Sequence, residues 1–227
     1  MNNTKEIFET NILGTIYLVR SCQDLDFDMF VNTGSSSEYG IKNSPMHESD
    51  LLEPITDYAV SKAATTLYCQ NIAKNSRLPI VTLRLFSPFG PYEQKSRLVA
   101  SLILSALQKN KLRISSRKFV RDFIFIEDVL DAYEILLNHK NFSGYIYNIG
   151  SGQQRTVGEV ADTIIRLFGN ELTLEVGLPQ QWKNEPAFWQ ADIHLSESDL
   201  NWKPKYSLER GLAATIDWFK LNKTRYE

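Results

Sequence analysis

The chain has 227 residues, 43% of them hydrophobic, which is enough apolar material for one good-sized core or for a domain with a smaller lobe. Lys and Arg number 25 against 27 Asp and Glu, so the formal net charge of -2 offers no surface for a polyanion and argues against nucleic acid as a partner. The polar start Met1-Asn2-Asn3-Thr4 is no signal peptide and no apolar run approaches the ~20 residues that span a bilayer, so the expectation is a cytoplasmic protein with no membrane partner.

Ile7, Phe8, Ile12, Tyr17, Leu18 and Cys22 recur near helical spacing, which predicts a helix over 4–22. Phe27–Thr33 (FDMFVNT) is a β-branched and aromatic run that stops at Gly34 and reads as a buried strand. A serine-rich polar stretch follows as far as Pro54. Thr56 or Asp57 then caps a helix over 58–75 with apolar positions Ala59, Ala63, Leu67 and Ile72. Pro79–Phe86 (PIVTLRLF) is almost continuously apolar, as suits a parallel strand covered on both faces. Strand, helix and strand at this spacing form a βαβ unit with a right-handed crossover.

Beyond Pro91 the pattern is less regular. It predicts a helix at 96–109, strands at 111–115 and 123–126, a helix at 127–138, and a strand at 145–149 that ends on Gly150-Ser151-Gly152. A helix at 157–168, a strand at 172–176 and a closing helix at Leu208–Leu221 follow, while 177–191 has no clear period. Cys22 and Cys69 fall in amphipathic helices and read as reduced core residues. His47, His139 and His194 show no ligand spacing, so no metal site is expected.

The fold class is therefore α/β: part of a doubly wound parallel sheet with a smaller mixed α/β lobe. Residues 1–90 read as half of a dinucleotide-binding domain. Residues 91–227 read mainly as a substrate-binding lobe, with about 120–150 returning to the sheet. A doubly wound dinucleotide domain opens with a strand, a Gly-rich turn and a helix N-terminus that holds the pyrophosphate. No G-x-G-x-x-G or relaxed variant occurs here. At roughly 30 residues per βαβ unit, an absent portion of about 70–90 residues is expected, carrying three or four strands.

Tyr58-Ala-Val-Ser-Lys62 places a phenol and an amine one helical turn apart on one face. An ammonium beside a phenol favours the phenolate, as would the positive ring of an oxidised nicotinamide. Such a pair is suited to general acid/base work, moving a proton on or off a hydroxyl.

The context of this pair is specific. It comprises Thr10-Asn11-Ile12-Leu13-Gly14-Thr15, Gly34-Ser35-Ser36-Ser37-Glu38-Tyr39-Gly40, and Arg84-Leu85-Phe86-Ser87-Pro88-Phe89-Gly90-Pro91. Further along come Arg121-Asp122-Phe123 with Asp128-Val129, Tyr147-Asn148-Ile149-Gly150-Ser151-Gly152, and Leu200-Asn201-Trp202 with Pro204. Over essentially its whole length the chain resembles the extended short-chain dehydrogenases/reductases, and within them the nucleotide-sugar epimerase/dehydratase family.

That resemblance implies a Rossmann-like fold, NAD or NADP as cofactor, and a nucleoside-diphosphate sugar as substrate. Ser35 matches the residue that bonds the sugar's reacting oxygen and completes a catalytic set with Tyr58 and Lys62; these three also touch the cofactor. Thr10 and Phe86 match cofactor contacts. Ser36 and Ser87 match substrate contacts, Ser87 standing where relatives commonly carry Asn. Arg121 matches an arginine that grips the diphosphate, which a planar guanidinium suits. Arg97 is a second candidate, in competition with Lys95, Arg113 and Arg117. Near Lys183-Asn184-Glu185-Pro186 relatives often supply another phosphate-binding arginine, and here only Lys183 stands nearby. The family's 4,6-dehydratases follow the position of Ser35 with acidic residues. Here Ser36 and Ser37 occupy those places and Glu38 comes one residue late, so the resemblance points to a 4-epimerase or a deoxysugar 4-ketoreductase. It also implies a homodimer built on helices 4–22 and 58–75. The alternative is an inactive, truncated homologue that serves as a binding or scaffold protein.

Overall fold

The structure, a computed structural model, describes residues 4–138, 143–169, 171–178 and 185–226. His139 and Lys183 lie outside them. The predicted first helix forms as α1 (Thr4–Phe8), a π-helical stretch Glu9–Leu13, and α2 (Gly14–Cys22). The first strand, β1 (Phe30–Ser35), starts later than its apolar pattern suggests and runs through Gly34 instead of stopping there. Gly34 pairs with Arg84, and a Cβ at this position would come within 2.7 Å of Glu38 Oε1 and 2.9 Å of Thr82 Cγ2. The glycine thus permits a close approach inside the strand and does not end it.

Of the two candidate caps, Thr56 starts α3 (Asp57–Ser76): its hydroxyl accepts from the Ala59 N–H at 3.1 Å. The helix ends where Arg77 turns left-handed at φ 53°. The chain continues through β2 (Ile80–Leu85), β3 (Ser87–Phe89), α4 (Leu98–Leu107), β4 (Leu112–Ile114), β5 (Val120–Phe125), α5 (Ile126–Asn138) and β6 (Ile146–Ile149). It closes with β7 (Gln154–Thr156), α6 (Val157–Leu167), β8 (Leu174–Val176), α7 (His194–Leu200) and α8 (Leu208–Leu221). The short elements β3, β7 and α7 carry too few residues to show a period. β5 begins at Val120 and not at Phe123, because Val120, Arg121 and Asp122 pair antiparallel with β7.

Among the described residues the strands form three sheets. β1, β2 and β6 lie side by side and parallel, with β2 central. The chain thus has the α/β, parallel-sheet architecture expected of it. Alternate residues of β2 explain its almost continuous apolar run. Val81 and Leu83 pack with Val129, Ala132 and Leu136 of α5, while Ile80 packs with Val19 of α2 and with Cys69 and Ala73 of α3. In the second sheet β5 lies between β3 and β7, and the third pairs β4 with β8. Phe89 and Phe125 join Ile103 of α4, Ile164 of α6 and Leu212 of α8 in a separate core. Trp202 ties the chain after α7 to α5 through its indole N–H, which donates to Asp128 O at 2.9 Å.

Both cysteines are free thiols, and burial pushes that of Cys69 up to about 12. Among the described residues no helix is long and apolar enough to cross a membrane, and no cluster of acidic, His and Cys side chains suits a metal ion.

Candidate active site

The carboxyl end of β1 leads directly into a one-turn 3-10 helix, Ser36–Tyr39. Ser35 is its cap: the hydroxyl accepts from Ser37 N–H at 3.2 Å, and Glu38 returns the favour by accepting from Ser35 N–H at 2.8 Å. Using lone pairs for the cap leaves the Ser35 O–H free to serve as a donor.

Across from it, α3 presents Tyr58 in its first turn, 43% exposed. Lys62, one turn on, donates from Nζ to Thr33 O at 2.9 Å, and Nζ stands 5.9 Å from the Tyr58 ring centroid. Partial burial lowers the Lys62 pKa, with Glu38 pulling the other way. Ser35, Tyr58 and Lys62 therefore belong to one strand-helix pair. The anchor is the bond from Lys62 to the backbone two residues before Ser35.

Beneath this pair lies a buried network. Glu38 Oε2 accepts from Arg84 Nε at 2.8 Å, and its Oε1 accepts from Thr66 Oγ1 at 3.1 Å. Arg84 Nη1 donates to Tyr39 Oη at 2.9 Å, and Tyr39 donates onward to Asn148 Oδ1 at 2.7 Å. Burial raises the Glu38 pKa against the pull of Arg84. Burial also opposes the charge on Arg84, but the neighbouring Tyr39 and Glu38 outweigh it and hold the guanidinium protonated.

The remaining predicted residues divide. Ser87, Arg97 and Arg121 line a cleft of about 560 Å³, together with Glu93, Arg113 and Glu185. Ser35, Tyr58 and Lys62 are not among its lining residues. The link between the two places is Trp189, a residue from the stretch with no period: its indole N–H donates to Ser36 Oγ at 3.2 Å, and its ring centroid lies 5.5 Å from the Arg121 guanidinium carbon. Thr10 is exposed on the π-helical stretch, whose neighbour Asn11 donates to Ser61 Oγ of α3 at 2.9 Å. Phe86 is buried, 1% exposed and packed with Tyr39, Met46 and Trp189. Arg113 lines the cleft, whereas Arg117 pairs with Asp162.

Sequence reasoning missed Trp189, Glu93, Glu185 and the Glu38–Arg84 pair. Burial pushes Glu93 up to about 7, although Arg97 at 3.2 Å and the Ala100 N–H oppose the shift. A buried arginine within the apolar run of β2 is the signal that calls for a buried acid; nothing in the sequence marks Glu185.

Asp122 is the second hub. It is fully buried and accepts from Ser151 N–H and O–H, both at 2.6 Å, from Ala191 N–H at 3.0 Å and from Gly152 N–H at 3.1 Å. Burial pushes its carboxyl from 3.8 to about 6, against the pull of these donors. The folded protein then keeps a proton up to about pH 6 that the unfolded chain releases near 3.8. Stability from this group is full below that lower value and falls as pH rises through 6, by about 3 kcal/mol in all. Asp122→Asn should remove this slope in urea unfolding measured from pH 4 to 7. Equal loss in both proteins would assign the titration to another group.

Three comparisons with known proteins bear on this geometry. The profile of the NAD dependent epimerase/dehydratase family matches residues 1–150, about two thirds of the chain. The chain belongs to this family. Its curated relatives include a trifunctional UDP-glucose 4,6-dehydratase/UDP-4-keto-6-deoxy-D-glucose 3,5-epimerase/UDP-4-keto-L-rhamnose-reductase of Arabidopsis thaliana, 28% identical over 227 residues. That match covers 97% of this chain and only 34% of the plant protein. The GDP-6-deoxy-D-mannose reductase of Pseudomonas aeruginosa is 27% identical over 221 residues, covering 92% of this chain and 72% of that one. Among solved structures, UDP-glucuronic acid 4-epimerase from Bacillus cereus, in complex with UDP-glucuronic acid and NAD, superposes with a TM-score of 0.87. It is 29% identical, and the match covers 94% of this chain and 68% of that one. The family's relatives thus include epimerases, dehydratases and reductases of nucleotide sugars.

The site suits one end of the family's NAD. An ammonium carries three N–H donors. Lys62 places one on Thr33 O, which leaves two for the vicinal hydroxyls of a ribose. For the pyrophosphate, the sequence holds no G-x-G-x-x-G turn.

Proposed function

We propose that this chain carries the proton-transfer residues and the sugar-nucleotide cleft of an NAD- or NADP-dependent 4-epimerase or 4-ketoreductase acting on a nucleoside-diphosphate sugar. The observation that supports it most is the placement of Lys62: bonded to Thr33 O beside Ser35, one helical turn from the exposed phenol of Tyr58. A bound nicotinamide supplies or receives hydride at the sugar carbon. Tyr58 takes or gives the proton of the adjoining hydroxyl, and Lys62 favours the phenolate while its remaining donors hold the ribose. Ser35 donates to the same sugar oxygen. Arg121 and Arg97 take the diphosphate, with Ser36 and Ser87 near the sugar. Thr10 and the backbone at Phe86 flank the cofactor.

Dehydration fits less well. Elimination of water across C5 and C6 needs a free acid and base. Ser36 and Ser37 are neither, and the Glu38 carboxylate is 0% exposed and fully engaged by Arg84, Thr66 and Ser35. In this reading residues 1–90 serve the cofactor and 91–227 mainly the substrate, with segments of about 120–150 returning to the sheet. Leu13, Tyr17 and Leu18 on the first helices, and Leu67 on α3, are exposed apolar residues that suit the pairing of two copies.

The test is thermal denaturation of the chain with NADH, NADPH, and UDP-, dTDP- and GDP-sugars. A ligand present at 100 times its Kd should add about 2.7 kcal/mol of stability. A nucleotide sugar that stabilises while neither dinucleotide does would identify a binding protein. No response to any of them would sink the proposal.

A further inference from the structure

Two residues of the loop 90–97, Glu93 and Arg97, line the cleft. Glu93 fixes Arg97 at one point. Its carboxylate accepts from Arg97 Nε at 3.2 Å and from the Ala100 N–H, in the first turn of α4, at 3.2 Å. That contact leaves Nη1 and Nη2 of Arg97 with no hydrogen bond among the described residues, so both remain for an anion. The aim of the guanidinium then depends on what holds Glu93.

The carboxylate is tied to α4, and the backbone of Glu93 is tied to a segment far along the chain. After α8 comes a 3-10 turn, Lys223–Tyr226, and Tyr226 Oη donates to Glu93 O at 3.0 Å across 133 positions. The Tyr226 ring is itself fixed, stacked on Phe219 of α8 with centroids 4.7 Å apart. The residue before Glu93 is gripped as well. The Tyr92 ring centroid lies 4.8 Å from that of Trp218 and 4.8 Å from the Arg225 guanidinium carbon. Tyr92 also adopts the left-handed conformation, φ 65°, without being a glycine. A bulky residue keeps such a backbone where its surroundings over-determine it. Three contacts from α8 and its turn thus converge on Tyr92 and Glu93. Trp218, Arg225 and Tyr226 are not themselves among the lining residues of the cleft.

We propose that Tyr226, assisted by Trp218 and Arg225, is a positioning residue for Arg97: it locks the loop 90–97 so that Arg97 meets a diphosphate already aimed. The proposal rests on the reading of Arg97 as a diphosphate residue. The physical gain is preorganisation, because a side chain ordered before binding loses less entropy on binding.

The test is calorimetric titration of the full chain with UDP and with inorganic pyrophosphate, for wild type, Tyr226→Phe, Arg97→Gln and the variant carrying both changes. Tyr226→Phe keeps the ring on Phe219 and deletes the donor to Glu93 O. It should weaken binding by about three- to tenfold, the net contribution of one hydrogen bond. Arg97→Gln should weaken binding too, and in its background Tyr226→Phe should add no further loss. A residue that only supports the fold would lower the melting temperature and show no such coupling. Should Tyr226→Phe fail to fold, Trp218→Phe probes the same loop through Tyr92 in the same cycle, with the same expected result. Wild-type affinity in the folded variant, or an equal loss with and without Arg97, overturns the positioning role and leaves the proposed function standing. Undiminished binding by Arg97→Gln, or no binding by wild type, removes the assignment of Arg97 and this inference with it.

Discussion

Tyr58→Phe should lower turnover of a nucleotide sugar by about two to four orders of magnitude while leaving the melting temperature unchanged. The substitution deletes one hydroxyl from a residue that is 43% exposed, and it keeps the ring. Lys62 keeps its bond to Thr33 O, so the amine stays where it is. On the proposed assignment only the proton carrier is lost, and hydride transfer at the sugar carbon would have no partner to take or return the hydroxyl proton. The check pairs absorbance of the reduced nicotinamide during single turnover with product analysis and a melting curve. A variant that turns over at the wild-type rate would remove Tyr58 from the chemistry.

Glu38→Gln and Arg84→Met should each destabilise the fold by about 3–5 kcal/mol, since each leaves an unmatched charge or donor in a dry interior. The two side chains are 0% and 2% exposed and meet at 2.8 Å. Glutamine at position 38 must turn an N–H₂ toward either the Arg84 Nε–H or the Ser35 N–H, and neither can accept it. Methionine at 84 leaves the Glu38 carboxylate without its cation and removes the donors to Tyr39 Oη and to Glu48 O. Because the groups share one network, the double variant should lose clearly less than the two single losses added together. Urea unfolding of the four proteins measures this. Single losses below about 1 kcal/mol would mean that the pair is not what holds this region. The effect reaches the site, because the carboxylate that pairs with Arg84 also accepts from the N–H of Ser35.

Much of this protein can be read without its folded form. A strand such as Ile80–Leu85 can be apolar at both odd and even positions only if both of its faces are covered, and α3 and α5 do cover them. Tyr58 and Lys62 share a helix face through local geometry alone, and the start of α3 is confined to Thr56 or Asp57, of which the fold uses Thr56. Such features depend on residues a few positions apart, where backbone geometry fixes the outcome.

Tertiary structure decided the rest, because it depends on residues far apart in the chain. Gly34 looks like the end of a strand until Arg84 is placed beside it and Glu38 against it. Phe86 reads in sequence as a cofactor contact, and in the fold its ring packs into core with Tyr39, Met46 and Trp189. Trp189 comes from a segment with no period, and it joins Ser36 to Arg121 across 153 and 68 positions, arithmetic that no local pattern encodes. The partner of Arg121 is an acid 64 residues on, chosen by where the loop falls and not by any spacing in the sequence.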